Sequence, residues 1–188
     1  MEGDNNIVNI SKGSTIRDSL IYMVGSSGKI YIGENCNLAK IQLVCFSDCV
    51  INIGKKLHWT TGTARAEDGG VITIGDDCLF SAQIMIRTSD GHAIFDAQNM
   101  ERINPTRNVY IENYVWLCYW ASVGKGCRVG TGTVVGQNAM AFGNLDRNSI
   151  YAGSPARKIR SNIIWSANQT ISGIPEKYRF IHDANQNK

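Results

Sequence analysis

Three prolines and three histidines are all that the 188 residues contain, and no run of Lys or Arg exceeds two. A formal net charge of +3 without a basic tract excludes a nucleic-acid surface as the main business of the chain. No stretch approaches the ~18 apolar residues of a membrane span, so none is predicted. The segment from Met1 to Asn9 is acidic and polar and carries no export-signal pattern, which predicts a cytoplasmic protein. The six cysteines form no CxxC pair, and Cys45 and Cys49 have no histidine pair nearby. A zinc site is therefore not expected, and the thiols read as small core residues kept reduced in the cytoplasm. What is plentiful is glycine, at 19, and hydrophobic residues, at 43%, which together suit a globular chain of many short strands and tight turns.

The strands repeat. Residues 30–33 (IYIG), 51–54 (INIG) and 72–75 (ITIG) each read aliphatic-x-aliphatic-Gly, followed by two polar residues and an inward-pointing one. Their glycines, 33, 54 and 75, are spaced by 21, and the pattern returns with Glu112 and Gly130, spaced by 18. Eighteen is three hexapeptides, and 21 is three hexapeptides with a small bulge. Each hexapeptide is one short strand and a turn, and three make one triangular coil. A single coil cannot bury its apolar side alone, so coils must stack into a solenoid. A β-sandwich also has short alternating strands but does not hold such a constant spacing.

Two segments leave the pattern. Residues 87–107 contain Ser89-Asp90-Gly91-His92 and Asn104-Pro105, turn chemistry that predicts one extended loop. Beyond Pro155 the period fades. The division predicted is a β-helix over residues 1–160 and a capping tail over 161–188, needed because the last coil would otherwise expose an open strand edge. Helix is limited to a short piece near Pro175 to Phe180. Positive charge concentrates at Arg157, Lys158 and Arg160.

Of the histidines, His92 alone lies in the long loop, beside Asp90 and Asp96. His58 sits in a repeat next to Trp59 and His182 in the tail, where both read as structural or surface residues. A hydroxyl is a slow nucleophile unless its proton leaves as the new bond forms, and a neutral imidazole is matched to taking it. Either acid would orient the ring, and the residues do not choose between them. Trp116 follows His92 by 24 residues, a loop plus part of a coil.

Three stretches carry a family resemblance. Val115-Trp116-Leu117-Cys118 with Val123 to Gly130 resembles the VWIG and following repeat of hexapeptide-repeat acetyltransferases. Residues 149–160, SIYAGSPARKIR, resemble that family's closing segment, and Thr88 to Asp96 resembles the loop of its polysaccharide O-acetyltransferase branch, including the polysialic acid enzymes. The resemblance covers about Ile30 to Arg160. It departs at Cys118, Tyr119 and Trp120, and again over residues 136–141 (GQNAMA), where family members run backbone against the pantetheine arm.

The resemblance implies an all-β, left-handed parallel β-helix that forms a homotrimer, with acetyl-CoA in the groove between prisms. It implies His92 as general base with Trp116 beside it, Asp90 or Asp96 supporting the histidine, and no metal. Tyr119 and Trp120 then fall in the donor groove, and Arg157, Lys158 and Arg160, with Lys125 as a weaker candidate, suit the phosphates of the cofactor. Tyr119, Trp120 and Phe95 also suit stacking on a sugar ring. Nothing near Cys118 in sequence would activate it as an acetyl carrier. The function implied is O-acetylation of a bacterial capsule, lipopolysaccharide or exopolysaccharide sugar. A small acceptor (free sugar, serine, antibiotic or amino sugar) is the alternative, and a non-enzymatic β-helix scaffold the third reading.

Overall fold

The computed structural model describes residues 3–179 and folds them as a parallel β-helix. The first coil is β1 (Ile7–Ile10), β2 (Thr15–Arg17) and β3 (Leu20–Met23); the second is β4 (Lys29–Ile32), β5 (Asn37–Ala39) and β6 (Ile41–Cys45). The third comprises β7 (Val50–Ile53), β8 (His58–Trp59) and β9 (Gly62–Ala66), and the fourth β10 (Val71–Ile74), β11 (Leu79–Phe80) and β12 (Ile84–Arg87). After the loop come β13 (Val109–Ile111), β14 (Trp116–Leu117) and β15 (Ser122–Val123). The sixth coil is β16 (Arg128–Val129), β17 (Val134–Val135) and β18 (Met140–Ala141), and β19 (Asn144–Leu145) and β20 (Ile150–Ala152) begin a seventh. Strands at the same place in each coil pair in parallel, giving three faces: β1 through β19, β2 through β20, and β3 through β18.

The register explains the spacing seen in sequence. Ile30, Ile51, Ile72 and Val109 stack on the first face, and Leu38, Trp59, Phe80, Leu117 and Val135 on the second. All are buried, each stabilising the stack by roughly 1.5–3 kcal/mol. Volume is balanced within a coil: the third coil buries the bulky Trp59 together with the small Ala64 and Ala66. The longer coils owe their extra residues to β6 and β9, five residues each, where later coils have strands of two.

The repeating glycines serve close approach rather than unusual dihedrals. A Cβ on Gly33 would lie 2.5 Å from the Gly54 carbonyl oxygen, and one on Gly75 would lie 2.7 Å from the Glu112 carbonyl carbon. Left-handed backbone falls two residues later, at Asn35, Lys56, Asp77 and Tyr114, and again at Asn148. Each of these N–H groups donates to the coil before it, as Asp77 does to the Lys55 carbonyl at 2.8 Å. Thiols join the same ladder: Cys36 Sγ donates to the Gly54 carbonyl at 3.1 Å and Cys78 Sγ to that of Glu112 at 3.2 Å.

The two ends differ. Residues before Ile30, which show no family pattern, nevertheless form a complete coil in which Ser11 stands where later coils have glycine. Its inner apolar residues Val8 and Ile10 remain exposed. At the other end β21 (Arg157–Arg160) turns back and pairs antiparallel with β20.

The tail does not stop at the last coil. It runs back along the corner between the first and second faces, through a 3-10 turn (Ile171–Gly173) and the short helix α1 (Glu176–Arg179). There Trp165 and Tyr178 sandwich Tyr114 at 4.2 and 4.3 Å with nearly parallel rings. Tyr178 Oη donates to Asp77 Oδ2 at 2.9 Å, and Lys177 Nζ sits 2.6 Å from the same oxygen. The predicted helix is α1, while Phe180 and His182 lie outside the described residues.

Candidate active site

The loop leaves the prism between β12 and β13, at the corner joining the third face to the first. Its root rests on a buried ion cluster. Glu67, 7% exposed, accepts from Arg65 Nε at 2.8 Å and Arg87 Nη2 at 3.2 Å. Thr88 Oγ1 accepts the Glu67 N–H at 2.9 Å, so the first loop residue is tied to the third coil. Arg65 also lies 4.6 Å over the Phe46 ring. Gly91, at φ +88°, passes so close to Arg87 that an added Cβ would sit 3.0 Å from its guanidinium.

Asn104, only 8% exposed, organises the segment around His92. Its Oδ1 accepts the Ile94 N–H at 2.6 Å, while its Nδ2 donates to Asp90 Oδ2 at 2.8 Å and to the His92 carbonyl at 2.9 Å. Lys125, from the turn after β15, donates to Asp90 Oδ2 and to the Asn104 carbonyl at 3.2 Å. Lys125 and then Asn104 hold the Asp90 carboxyl below its usual range. Farther out, Arg102 and Thr106 both bond Asp68 Oδ2, at 3.2 and 3.1 Å, fastening the loop to the corner after β9.

Both candidate orienting acids are engaged elsewhere. Asp90 serves Lys125 and Asn104. Asp96 caps the turn at the loop tip, accepting from Gln98 N–H at 2.8 Å and Asn99 N–H at 3.3 Å. Among the described residues the His92 ring has no hydrogen-bond partner, and His92 is exposed. At the tip Ile94, Phe95, Met100 and Ile103 are each more than half exposed.

Trp116 sits on the second face, across the prism from the corner that carries the loop, so one chain does not bring it to His92. Its ring is half-buried, its Nε1 donates to Ser81 Oγ at 3.4 Å, and Trp165 packs 5.7 Å away. With Val134, Ile150, Arg160, Ile164 and Trp165 it lines a cleft of about 410 Å³. Tyr119 and Trp120, at the corner following β14, are exposed with ring centres 6.1 Å apart. Burial pushes the Cys118 thiol beside them up to about 11.

The three basic residues of β21 do not act as one cluster. Lys158 pairs with Asp146 at 2.5 Å beside a separate polar cleft, Arg160 lines the Trp116 cleft, and Arg157 bonds the carbonyl of its neighbour Ala156. Sequence reasoning missed Asn104, Glu67 and Arg87. The Asn104-Pro105 turn signal was the only hint of the first.

No protein-family model matches the chain. It is 31% identical over 147 residues to the polysialic acid O-acetyltransferase of Neisseria meningitidis, matching 66% of this chain and 68% of that one. It is 32% identical over 127 residues to the polysialic acid O-acetyltransferase of Escherichia coli O1:K1 (APEC), covering 68% of this chain but only 41% of that longer protein. Among solved structures, the crystal structure of the polysialic acid-specific acetyltransferase NeuO superposes with a TM-score of 0.84 at 29% identity. That match covers 89% of this chain and 72% of that one.

Proposed function

Because the chain belongs to the hexapeptide-repeat acetyltransferases, in the company of the polysialic acid O-acetyltransferases, we propose that it moves an acetyl group from acetyl-CoA to a hydroxyl of a bacterial surface polysaccharide, with His92 as general base. The observation that carries the reading is a free imidazole on a loop whose backbone is pinned on both sides of it. An imidazole so placed takes the acceptor proton while the hydroxyl oxygen bonds to the thioester carbonyl. The carbon–sulfur bond then breaks, and the thiolate leaving with coenzyme A recovers the proton.

The site is completed between copies. His92 and Trp116 lie on opposite sides of one prism, so the loop of one subunit reaches the second-face groove of a neighbour in a homotrimer. The bare apolar tip of the loop supports this, since single chains rarely leave four large apolar side chains together in water. Acetyl-CoA lies along the Trp116 cleft with Arg160 at its phosphates, and the exposed Tyr119 and Trp120, on the turn that follows β14, extend the donor groove. Arg157, exposed on the same strand, stands for the nucleotide end, while Lys158 is paired with Asp146 beside the separate polar cleft. The six free cysteines fit a reducing cytoplasm, and no helix among the described residues is long and apolar enough to cross a membrane.

The test is thiol release from acetyl-CoA against polysaccharides and free sugars, wild type beside His92→Ala. Release with one polysaccharide, lowered about a hundredfold in the variant, is the expected result. Release with small acceptors only moves the assignment to a small sugar or amine. No release and no acetyl-CoA binding leaves a scaffold.

A further inference from the structure

Catalytic histidines are commonly held by a carboxylate on the far ring nitrogen. Here the two acids nearest His92 in sequence are turned to other tasks, and the ring itself is bare. The backbone is where the restraint sits. Residues 90, 92 and 94 all bond the side chain of Asn104, through a carboxylate, a carbonyl and an N–H respectively. One buried amide thus reads three alternate positions of the loop, with His92 at the middle one.

We infer that Asn104, tied down by Lys125, is the positioning residue for His92: it sets the height and direction of the imidazole through the loop backbone, in place of an orienting acid. The inference rests on His92 being the base. The geometry is specific to an amide. Ile94 needs an acceptor, whereas Asp90 and the His92 carbonyl each need a donor, and only Asn or Gln carries an acceptor and two donor hydrogens on one group. Gln is a methylene longer in a buried slot. Lys125 acts from the opposite side, because its ammonium bridges the Asp90 carboxylate and the Asn104 carbonyl and so closes the ring of contacts onto the prism. The contacts of Arg102 and Thr106 to Asp68 fasten the returning limb of the loop to the corner after β9 but touch nothing within three residues of His92 in sequence. They serve as a control for loss of loop order alone.

A double-mutant cycle tests this. Asn104→Ala should lower kcat by roughly 10- to 100-fold, the size of effect that follows when a reacting group is misplaced by about an ångström. The KM for acetyl-CoA should stay within about twofold. In a His92→Ala background, where no base remains to be placed, the same substitution should lower kcat by less than about twofold. Lys125→Met should repeat the pattern more weakly, with Lys125→Arg recovering part of the loss. If Asn104→Ala fails to fold, Lys125→Met is carried through the same cycle in its stead. Thr106→Val, which cuts only the bond to Asp68, should leave kcat within about threefold.

An Asn104→Ala enzyme with wild-type kcat overturns the inference. So does an equal loss in the presence and absence of His92, which would make Asn104 merely structural. Near wild-type turnover by His92→Ala alone would instead overturn the assignment of the base. The two failures are therefore distinguishable.

Discussion

Tyr114 and Trp165, 51 residues apart, lie face to face at 4.2 Å and exchange hydrogen bonds: Tyr114 Oη donates to the Trp165 carbonyl, and Trp165 Nε1 to the Tyr114 carbonyl at 3.0 Å. Tyr114 is a bulky residue in left-handed backbone, a position its counterparts fill with Asn, Lys or Asp. Trp165→Ala should therefore free residues 161–179 at a cost of about 3–5 kcal/mol to their docking. Limited proteolysis checks this. Cuts should appear beyond Arg160 in the variant while far-ultraviolet dichroism of the prism is unchanged. Equal resistance in both proteins would mean the stack contributes little.

Arg160→Ala should raise the KM for acetyl-CoA about tenfold and change kcat by less than threefold, because a charge lining the Trp116 cleft acts on binding rather than on the reacting bond. Initial rates at varied acetyl-CoA decide it. An unchanged KM puts the phosphates elsewhere.

Cys118 should be a bystander. With burial holding its thiol at about 11, hardly any thiolate exists at neutral pH to accept an acetyl group. Cys118→Ala should keep kcat within about twofold, and mass spectrometry during turnover should find no acetylated enzyme. A trapped acetyl-thioester on Cys118 would contradict direct transfer.

Gly62 and Gly143 should respond very differently to a side chain. Gly62 stands at φ +148° with the Ile84 carbonyl oxygen 2.2 Å from where a Cβ would be. Gly62→Ala should cost about 2–4 kcal/mol and lower the melting temperature by on the order of 10 °C. Gly143 stands at φ +68° with open space around it, the conformation that Asn35 and Asn148 adopt at other turns. Gly143→Asn should shift stability by no more than about 0.5 kcal/mol. Thermal unfolding followed by dichroism compares them.

Periodic features were legible in the sequence and solitary ones were not. The recurring aliphatic-x-aliphatic-Gly at 33, 54 and 75 could be read because backbone crowding is the same in each coil. The repeat of the first coil, though inside the span assigned to the β-helix, was not legible because Ser11 replaces that glycine without preventing the strand pairing. His92 stood out by its loop and neighbours, yet the partners of Asp90 did not, since Lys125 is 35 residues away and on another coil. Proximity in sequence suggested that an acid would serve the histidine; the fold spends both acids on holding the loop together. The run Arg157, Lys158 and Arg160 suggested a single basic patch, but strand pairing with a bulge sends Lys158 and Arg160 to different clefts.

The bond from Tyr178 to Asp77 spans 101 residues in a fold whose parallel strands pair only between adjacent coils. A solenoid governed by neighbour contacts alone can unravel from either end, one coil at a time. Here the C-terminal end is stapled to the fourth coil, so coils five and six cannot peel away until that staple opens. The N-terminal coil has no such tie among the described residues. Loss of structure should begin there, far from the loop and the Trp116 cleft, which sit inside the closed part of the circuit.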